Sequence, residues 1–256
     1  MTDQPTAIQS LLADVAGGRI DVAEAERRLV QSQAHDLGFA NLDTHRDGRT
    51  GFIEVVYCAG KTPAQTAAIL KRQAESHRVL LATRAGQEHA DAACAAVSDL
   101  DYHPEAQVLR RLDPGRRVKR PPIAVVSAGT SDLPVAEEAA LTLETVGHTA
   151  IRRYDVGVAG LHRVAVLRDE LNACGCVIVV AGMEGALPSV VAGLIARPVI
   201  AVPTSVGYGV ALGGLAALMG MLSGCAPGVT VVNIDNGFGA AIAACRINGG
   251  PEESRT

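Results

Sequence analysis

Tryptophan is absent from the 256-residue chain and aromatic residues make up only 3% of it, which leaves no stacking platform for single-stranded nucleic acid. A large excess of one charge is lacking too: a net charge of −4 gives no general pull toward polyanions. There is no CxxC pair, and neither a GxxxxGK[ST] nor a GxGxxG stands after the strand-like runs, so the standard phosphate and dinucleotide fingerprints are missing. The opening Met-Thr-Asp-Gln-Pro-Thr has no basic n-region followed by an apolar h-region. A reducing, cytoplasmic setting is therefore expected, with the six cysteines as thiols. Long apolar runs are scarce. The one candidate, 206–222, has 17 residues including five glycines, at the short limit for a membrane span. It reads instead as a helix buried on all sides, between subunits, with no membrane involved.

What is present is core-forming material. Hydrophobic residues make up 48% and charged residues 20%, which excludes a disordered chain. The length suits one large or two modest domains. Residues 1–120 carry 32 charged residues and 8 glycines, whereas 121–256 carry 18 and 19. Between the halves, RRLDPGRRVKRPP (110–122) holds six basic residues and three prolines and reads as a solvated linker or a phosphate-contacting arm. The expected division is a helical and small α/β domain over 1–109, the linker over 110–122, and a second domain over 123–250.

In the first half, helices are expected over 5–16 and 21–32 with Asp21 as cap, then a polar, turn-rich stretch. Strands follow at 52–58 and 78–83, with helices at 63–76, where Pro63 sits in the first turn, and at 87–97. The second half alternates regularly. Apolar runs at 123–129, 149–154, 176–182, 198–203 and 229–234 are separated by helical segments at 134–146, 161–173, 187–196, 208–222 and 238–246. Continuous apolar strands separated by helices mean a parallel sheet covered on both faces. The expected class is α/β, a three-layer flavodoxin- or Rossmann-like sheet with a small α/β domain appended. Cys174 and Cys176, at the start of one run, read as buried structural thiols.

Ligands of such sheets sit beyond the carboxyl ends of the strands. After the first strand, Ser127, Gly129, Thr130, Ser131 and Asp132 precede a helix, where hydroxyls and free N–H groups suit a phosphate. Ser131 or Asp132 could equally cap the helix. After the second strand come Asp155, His162 and Arg163. Glu184 follows the third strand between glycines, where an uncompensated carboxylate is costly unless it meets solvent or a partner. Thr204 and Tyr208 follow the fourth, and Asp235-Asn236-Gly237 follows the fifth as a natural cap. Cys225 lies in a tight loop between Gly224 and Pro227-Gly228, and by position alone is as readily a small hydrophobe as a nucleophile.

These motifs carry a resemblance. The second half resembles the PurE fold through SDLP (131–134), HR (162–163) and RPVIAVPTS (197–205), though Glu184 stands where PurE enzymes have small residues and their loop histidine is missing. Over about 35–245 the chain is similar to the LarB family, pyridinium-3,5-biscarboxylic acid mononucleotide synthases of nickel-pincer cofactor synthesis. The similarity is carried by FANLDTHR (39–46), GFIEVVYCAGKTP (51–63), AGMEGALPSVVAGL (181–194) and GGLAALMGMLSGCAPGVTVVNIDNGFGAA (213–241).

The resemblance implies that nicotinic acid adenine dinucleotide is carboxylated at pyridinium C5 by carbon dioxide or bicarbonate and cleaved to release AMP. It implies a covalent adduct at Cys225, with Glu184 and His162 as further catalytic candidates. Ser127, Gly129, Thr130, Ser131, Asp132, Asp155, Arg163, Thr204 and Tyr208 would bind substrate. Magnesium is expected, with Glu184 and Asp155 as candidate ligands, but no organic cofactor. No nucleic-acid partner is expected, and a homo-oligomer, an octamer by resemblance, is. The alternatives are a PurE-type aminoimidazole ribonucleotide carboxylase or mutase, whose chemistry needs no thiol, and a non-catalytic nucleotide-binding sensor.

Overall fold

The computed structural model describes residues 7–32, 34–43 and 46–249. The first two residues of the helix expected over 5–16, positions 44 and 45 of the FANLDTHR motif, and position 250, the expected domain end, lie outside the described residues. Two compact units are present, Met1–Glu54 and Val55–Thr256.

The first unit holds α1 (Ala7–Ala16) and α2 (Val22–Ser32), a hairpin of β1 (Ala34–Asp36) and β2 (Asn41–Asp43), and α3 (Arg46–Thr50). Asp21 caps α2 as expected, accepting from Glu24 N at 2.7 Å. The stretch read as merely turn-rich thus contains β2 and α3. Arg49 pairs with Asp43 there through both guanidinium nitrogens, at 3.0 and 2.6 Å.

The second unit contains two sheets. The smaller comprises β3 (Val56–Tyr57), β4 (Leu80–Thr83), β5 (Asp101–His103) and β6 (Val108–Arg111), in the order β3-β4-β6-β5. Helices α4 (Pro63–Ala74) and α5 (Gln87–Ala96) belong with it. A capping box starts α4: Thr62 Oγ1 accepts from Gln65 N at 3.2 Å, and Gln65 Oε1 accepts from Thr62 N at 2.9 Å. The segment read as a linker starts inside β6. Arg110 there reaches Glu144 at 2.8 Å and Arg111 the Arg78 carbonyl at 2.9 Å, so distant acceptors turn two linker cations into strand residues.

The larger sheet is wholly parallel, in the order β8-β7-β9-β10-β11. Its strands and helices, in chain order, are β7 (Ile123–Ser127), α6 (Leu133–Thr145), β8 (Ala150–Arg153), α7 (Leu161–Ala165), α8 (Arg168–Ala173), β9 (Cys176–Ala181), α9 (Leu187–Leu194), β10 (Val199–Pro203), α10 (Leu215–Leu222), β11 (Val229–Val231) and α11 (Gly237–Ile247). Every residue of β7, β9 and β10 is buried, as strands covered on both faces require. Each fully buried Val, Ile or Leu contributes about 1.5–3 kcal/mol of transfer free energy. The edge strand β8 is polar: Arg152 pairs with Glu137 and Glu144 of α6, and Arg153 with Glu170 of α8. Charged edges discourage further strand pairing. The α/β class and the parallel sheet with a smaller appended α/β portion are therefore observed as expected.

Two readings need correction. The helix expected over 161–173 is two short helices, divided at Val166-Leu167. The run 206–222 is not one buried helix. Left-handed backbone at Leu212 (φ 47°) and Gly213 (φ 63°) breaks it, and only Leu215–Leu222 remains α-helical. Val210, Leu212, Met219 and Leu222 are exposed within the chain, Val210 to 86%. Among the described residues no helix is long and apolar enough to cross a membrane. Cys174 and Cys176 are buried free thiols, and burial pushes Cys176 up to about 12.

Candidate functional site

The chain reverses direction across the sheet between β7 and β9, and a cavity of about 380 Å³ opens there at their carboxyl ends. This is the crevice that a 2-1-3-4-5 strand order creates, because the loops after the two strands diverge to opposite faces. Loops after β7, β8, β9 and β10 supply its walls.

The loop after β7 runs through Gly129 into a single 3-10 turn, Thr130–Asp132, that leads into α6. Asp132 does not cap α6 with its side chain, and neither does Ser131. Instead its carboxylate turns back to accept Gly129 N at 3.0 Å and the Thr204 hydroxyl at 2.7 Å. Asp132 is 3% exposed, and burial raises its pKa against the pull of those two bonds. It therefore shapes the wall. The exposed Thr130 and Ser131 hydroxyls and the backbone beside them are the groups left for a phosphate. Ser127 lies beneath, fully buried, with a hydroxyl oxygen that has no partner.

After β8, Asp155 adopts a left-handed backbone (φ 56°), and Arg163 Nη1 donates to its carbonyl at 2.6 Å and its carboxylate at 3.2 Å. Asp155 lines the cavity; His162 is exposed and does not. Arg163 acts on the wall through Asp155.

The loop after β9 carries Glu184, which lines the cavity. Two close approaches fix this loop. A Cβ on Gly182 would lie 2.4 Å from the Val206 carbonyl oxygen, and one on Gly220 2.4 Å from the Glu184 carbonyl oxygen. Only glycine permits either, so the Glu184 backbone is locked between the loop after β10 and α10. Among the described residues no hydrogen bond or ion pair engages the Glu184 carboxylate.

The remaining predicted residues stand apart from the cavity wall. Thr204 is fully buried behind Asp132, and Tyr208 is 82% exposed. Cys225 is an exposed thiol beyond the end of α10, with Gly224 packed against Ser189 in the first turn of α9. Sequence reading missed the Gly157–Ala159 rim and Val206; their only signal is their place after apolar strands. As to a metal, no group of three or more His, Cys, Asp or Glu side chains among the described residues could hold one. Of the two expected magnesium ligands, Asp155 is paired to Arg163 and Glu184 is without a partner among the described residues, too few protein donors to hold the ion without oxygens from a substrate.

Comparison with known proteins agrees with this architecture. Residues 34–112 match the LarB/PurE-like N-terminal domain family and residues 122–254 the AIR carboxylase family. An uncharacterized protein of Methanocaldococcus jannaschii is 39% identical over 93% of this chain and 95% of its own length. The N5-carboxyaminoimidazole ribonucleotide mutase of the same organism is 37% identical, over 49% of this chain and 77% of the mutase. That of Pyrococcus horikoshii is 34% identical, over 51% and 74%. An enzyme of the carboxylase or mutase kind is what such membership carries. With both domain matches in chain order on one polypeptide, the chain belongs to the LarB family and carries a PurE-like second domain.

Proposed function

We propose that the chain carboxylates the pyridinium ring of nicotinic acid adenine dinucleotide at C5 and hydrolyses the phosphoanhydride, giving pyridinium-3,5-biscarboxylic acid mononucleotide and AMP. The observation that carries this reading is Glu184, whose backbone is fixed against Gly220 and whose carboxylate has no partner among the described residues, lining the same β7/β9 cavity as Thr130 and Ser131. A phosphate seated on that turn places the rest of a nucleotide among the loops that hold Glu184. The cavity is at the small end of the range for ligand sites, so a dinucleotide extends beyond it. In this reading its ring reaches out toward the end of α10, where the Cys225 thiol is exposed.

There the thiolate adds to ring C4. The ring loses aromaticity and gains an enamine whose C5 attacks carbon dioxide, forming the new C–C bond. Glu184 then takes the C5 proton, the C4–S bond breaks, and the departing thiolate restores the pyridinium. Covalent addition divides one difficult step into easier ones. Water divides the phosphoanhydride, and no step is routed through a metal. The exposed apolar face of Val210, Leu212, Met219 and Leu222 supports assembly into a homo-oligomer.

The test is to incubate the protein with the dinucleotide, bicarbonate and magnesium, and to look for AMP and for the mass of one added carboxyl group. Turnover of aminoimidazole ribonucleotide alone would replace this reading with a PurE-type carboxylase, and turnover of its N5-carboxy derivative alone with the mutase activity of the second-half relatives. Tight nucleotide binding without any turnover would leave a sensor.

A further inference from the structure

A second polar cluster joins the smaller sheet to the carboxyl edge of the larger one. Arg84 follows β4 in a left-handed conformation (φ 56°) unusual for a non-glycine residue. Its neighbours hold it there: Cys58 N donates to the Thr83 carbonyl at 2.9 Å, Ala85 N to the Gln107 carbonyl at 2.8 Å, and the Tyr102 hydroxyl to the Ala85 carbonyl at 2.9 Å. From this position Nε meets Glu138 of α6 at 3.2 Å and Nη2 donates to the Asp235 carbonyl. Glu138 is buried, and its other oxygen accepts Phe238 N at 3.2 Å.

Asp235 is itself left-handed (φ 56°), and its carboxylate accepts Ser205 N at 2.8 Å. Ser205 adjoins Thr204, whose hydroxyl fixes Asp132 in the cavity wall. Arg84 is thus the first member of a continuous series, Arg84–Asp235–Ser205/Thr204–Asp132, that ends in the cavity. A strained backbone persists only where its surroundings over-determine it, and here two strained residues touch each other.

We propose that Arg84 is a positioning residue: by holding Asp235 it sets the loop after β10, and through Thr204 the Asp132 wall against which substrate phosphate is seated. The inference rests on reading the β7/β9 cavity as the substrate site. It gives the smaller sheet a task beyond covering α6. Arginine suits it because one planar fork reaches a carboxylate and a carbonyl together, which a lysine ammonium cannot reproduce.

Removing Arg84 alone would strand the buried Glu138 charge and threaten folding. The informative variant is therefore Arg84→Met with Glu138→Gln, where the amide oxygen still accepts Phe238 N. Amide hydrogen exchange at Gly129, Ser205 and Asp235 should quicken at least tenfold, while β9 amides keep their wild-type rates. With the dinucleotide, KM should rise about tenfold with kcat within a factor of two. Combined with Thr204→Val, the KM effects should be less than additive, because both changes cut the same series. Arg84→Lys should recover part of the loss. Unchanged exchange at those three amides, or strictly additive KM effects, would overturn the proposal. Wild-type protein that never turns over the dinucleotide would overturn the substrate reading alone, since the exchange result does not depend on it.

Discussion

Helices α6, with three glutamates, and α10, wholly apolar, both cover the parallel sheet and meet opposite fates. Nine of the thirteen residues of α6 are buried, because α11, the parallel sheet and strands β4 and β6 all pack against it. Its carboxylates are engaged as well, Glu138 by Arg84 and Glu144 by Arg110 and Arg152. In α10 only Ala217 and Met221 are buried, and Leu215, Met219 and Leu222 remain exposed. An apolar helix therefore does not tell, from its sequence, whether its own chain will cover it. The uncovered helix is also the one that fixes the Glu184 loop and leads to Cys225. Stability is concentrated on the α6 side and the proposed chemistry on the α10 side.

The largest expected break of this contrast is a charge placed in each helix. Leu143→Glu on α6 should leave no folded protein by circular dichroism, since a fully buried unpaired carboxylate costs several kcal/mol of a total of about 5–15. Cys225→Ser should keep the melting temperature and nucleotide binding but collapse carboxylation, because serine supplies almost no alkoxide at neutral pH. Intact-mass analysis should show a pyridinium adduct in wild type and none in the variant. Glu184→Gln should lower the rate at least tenfold with little thermal change, and unchanged turnover would make the loop purely architectural.

On α10 the counterpart Met219→Glu should shift melting by a few degrees at most while light scattering moves from oligomer to monomer. A wild-type monomer at micromolar concentration would remove the assembly reading. The smallest effect concerns His148, a buried residue beside the basic stretch. Burial, then Arg116 and Arg120, lowers its pKa, and its Nε2 has no partner. A depressed folded-state pKa supports stability above the unfolded value of about 6.5, and that stability fades as pH falls through the folded value. His148→Gln should flatten the acid side of a melting-temperature profile between pH 6.5 and 5, and an unaltered profile would show that the ring does not titrate there.

The five parallel strands were legible because strands buried on both faces leave continuous apolar runs, and the crevice followed because the strand ends carry glycine and hydroxyl residues. What could not be read depended on distant partners. β5 and β6 are short and polar, and Arg110 and Arg111 become strand residues only because Glu144 and the carbonyls near residue 78 await them. The glycines of 206–222 were visible, but the break also needs left-handed Leu212, which no local pattern announces. Arg84 met its acceptor 151 positions away, beyond any motif. Asp132 was legible as a site residue and not as a buried wall, since its partner Thr204 comes from another strand end.

The cysteines of this fold also make the protein a convenient substrate for chemical labelling. Four of the six are buried, and Cys176 and Cys245 are pushed by burial up to about 12, so they remain protonated and shielded from an alkylating reagent at neutral pH. A reagent meets two exposed sulfurs, Cys94 and Cys225, and burial raises the Cys94 thiol as well. One probe can thus be attached beside the proposed reaction centre once a single exposed background cysteine, Cys94, is replaced.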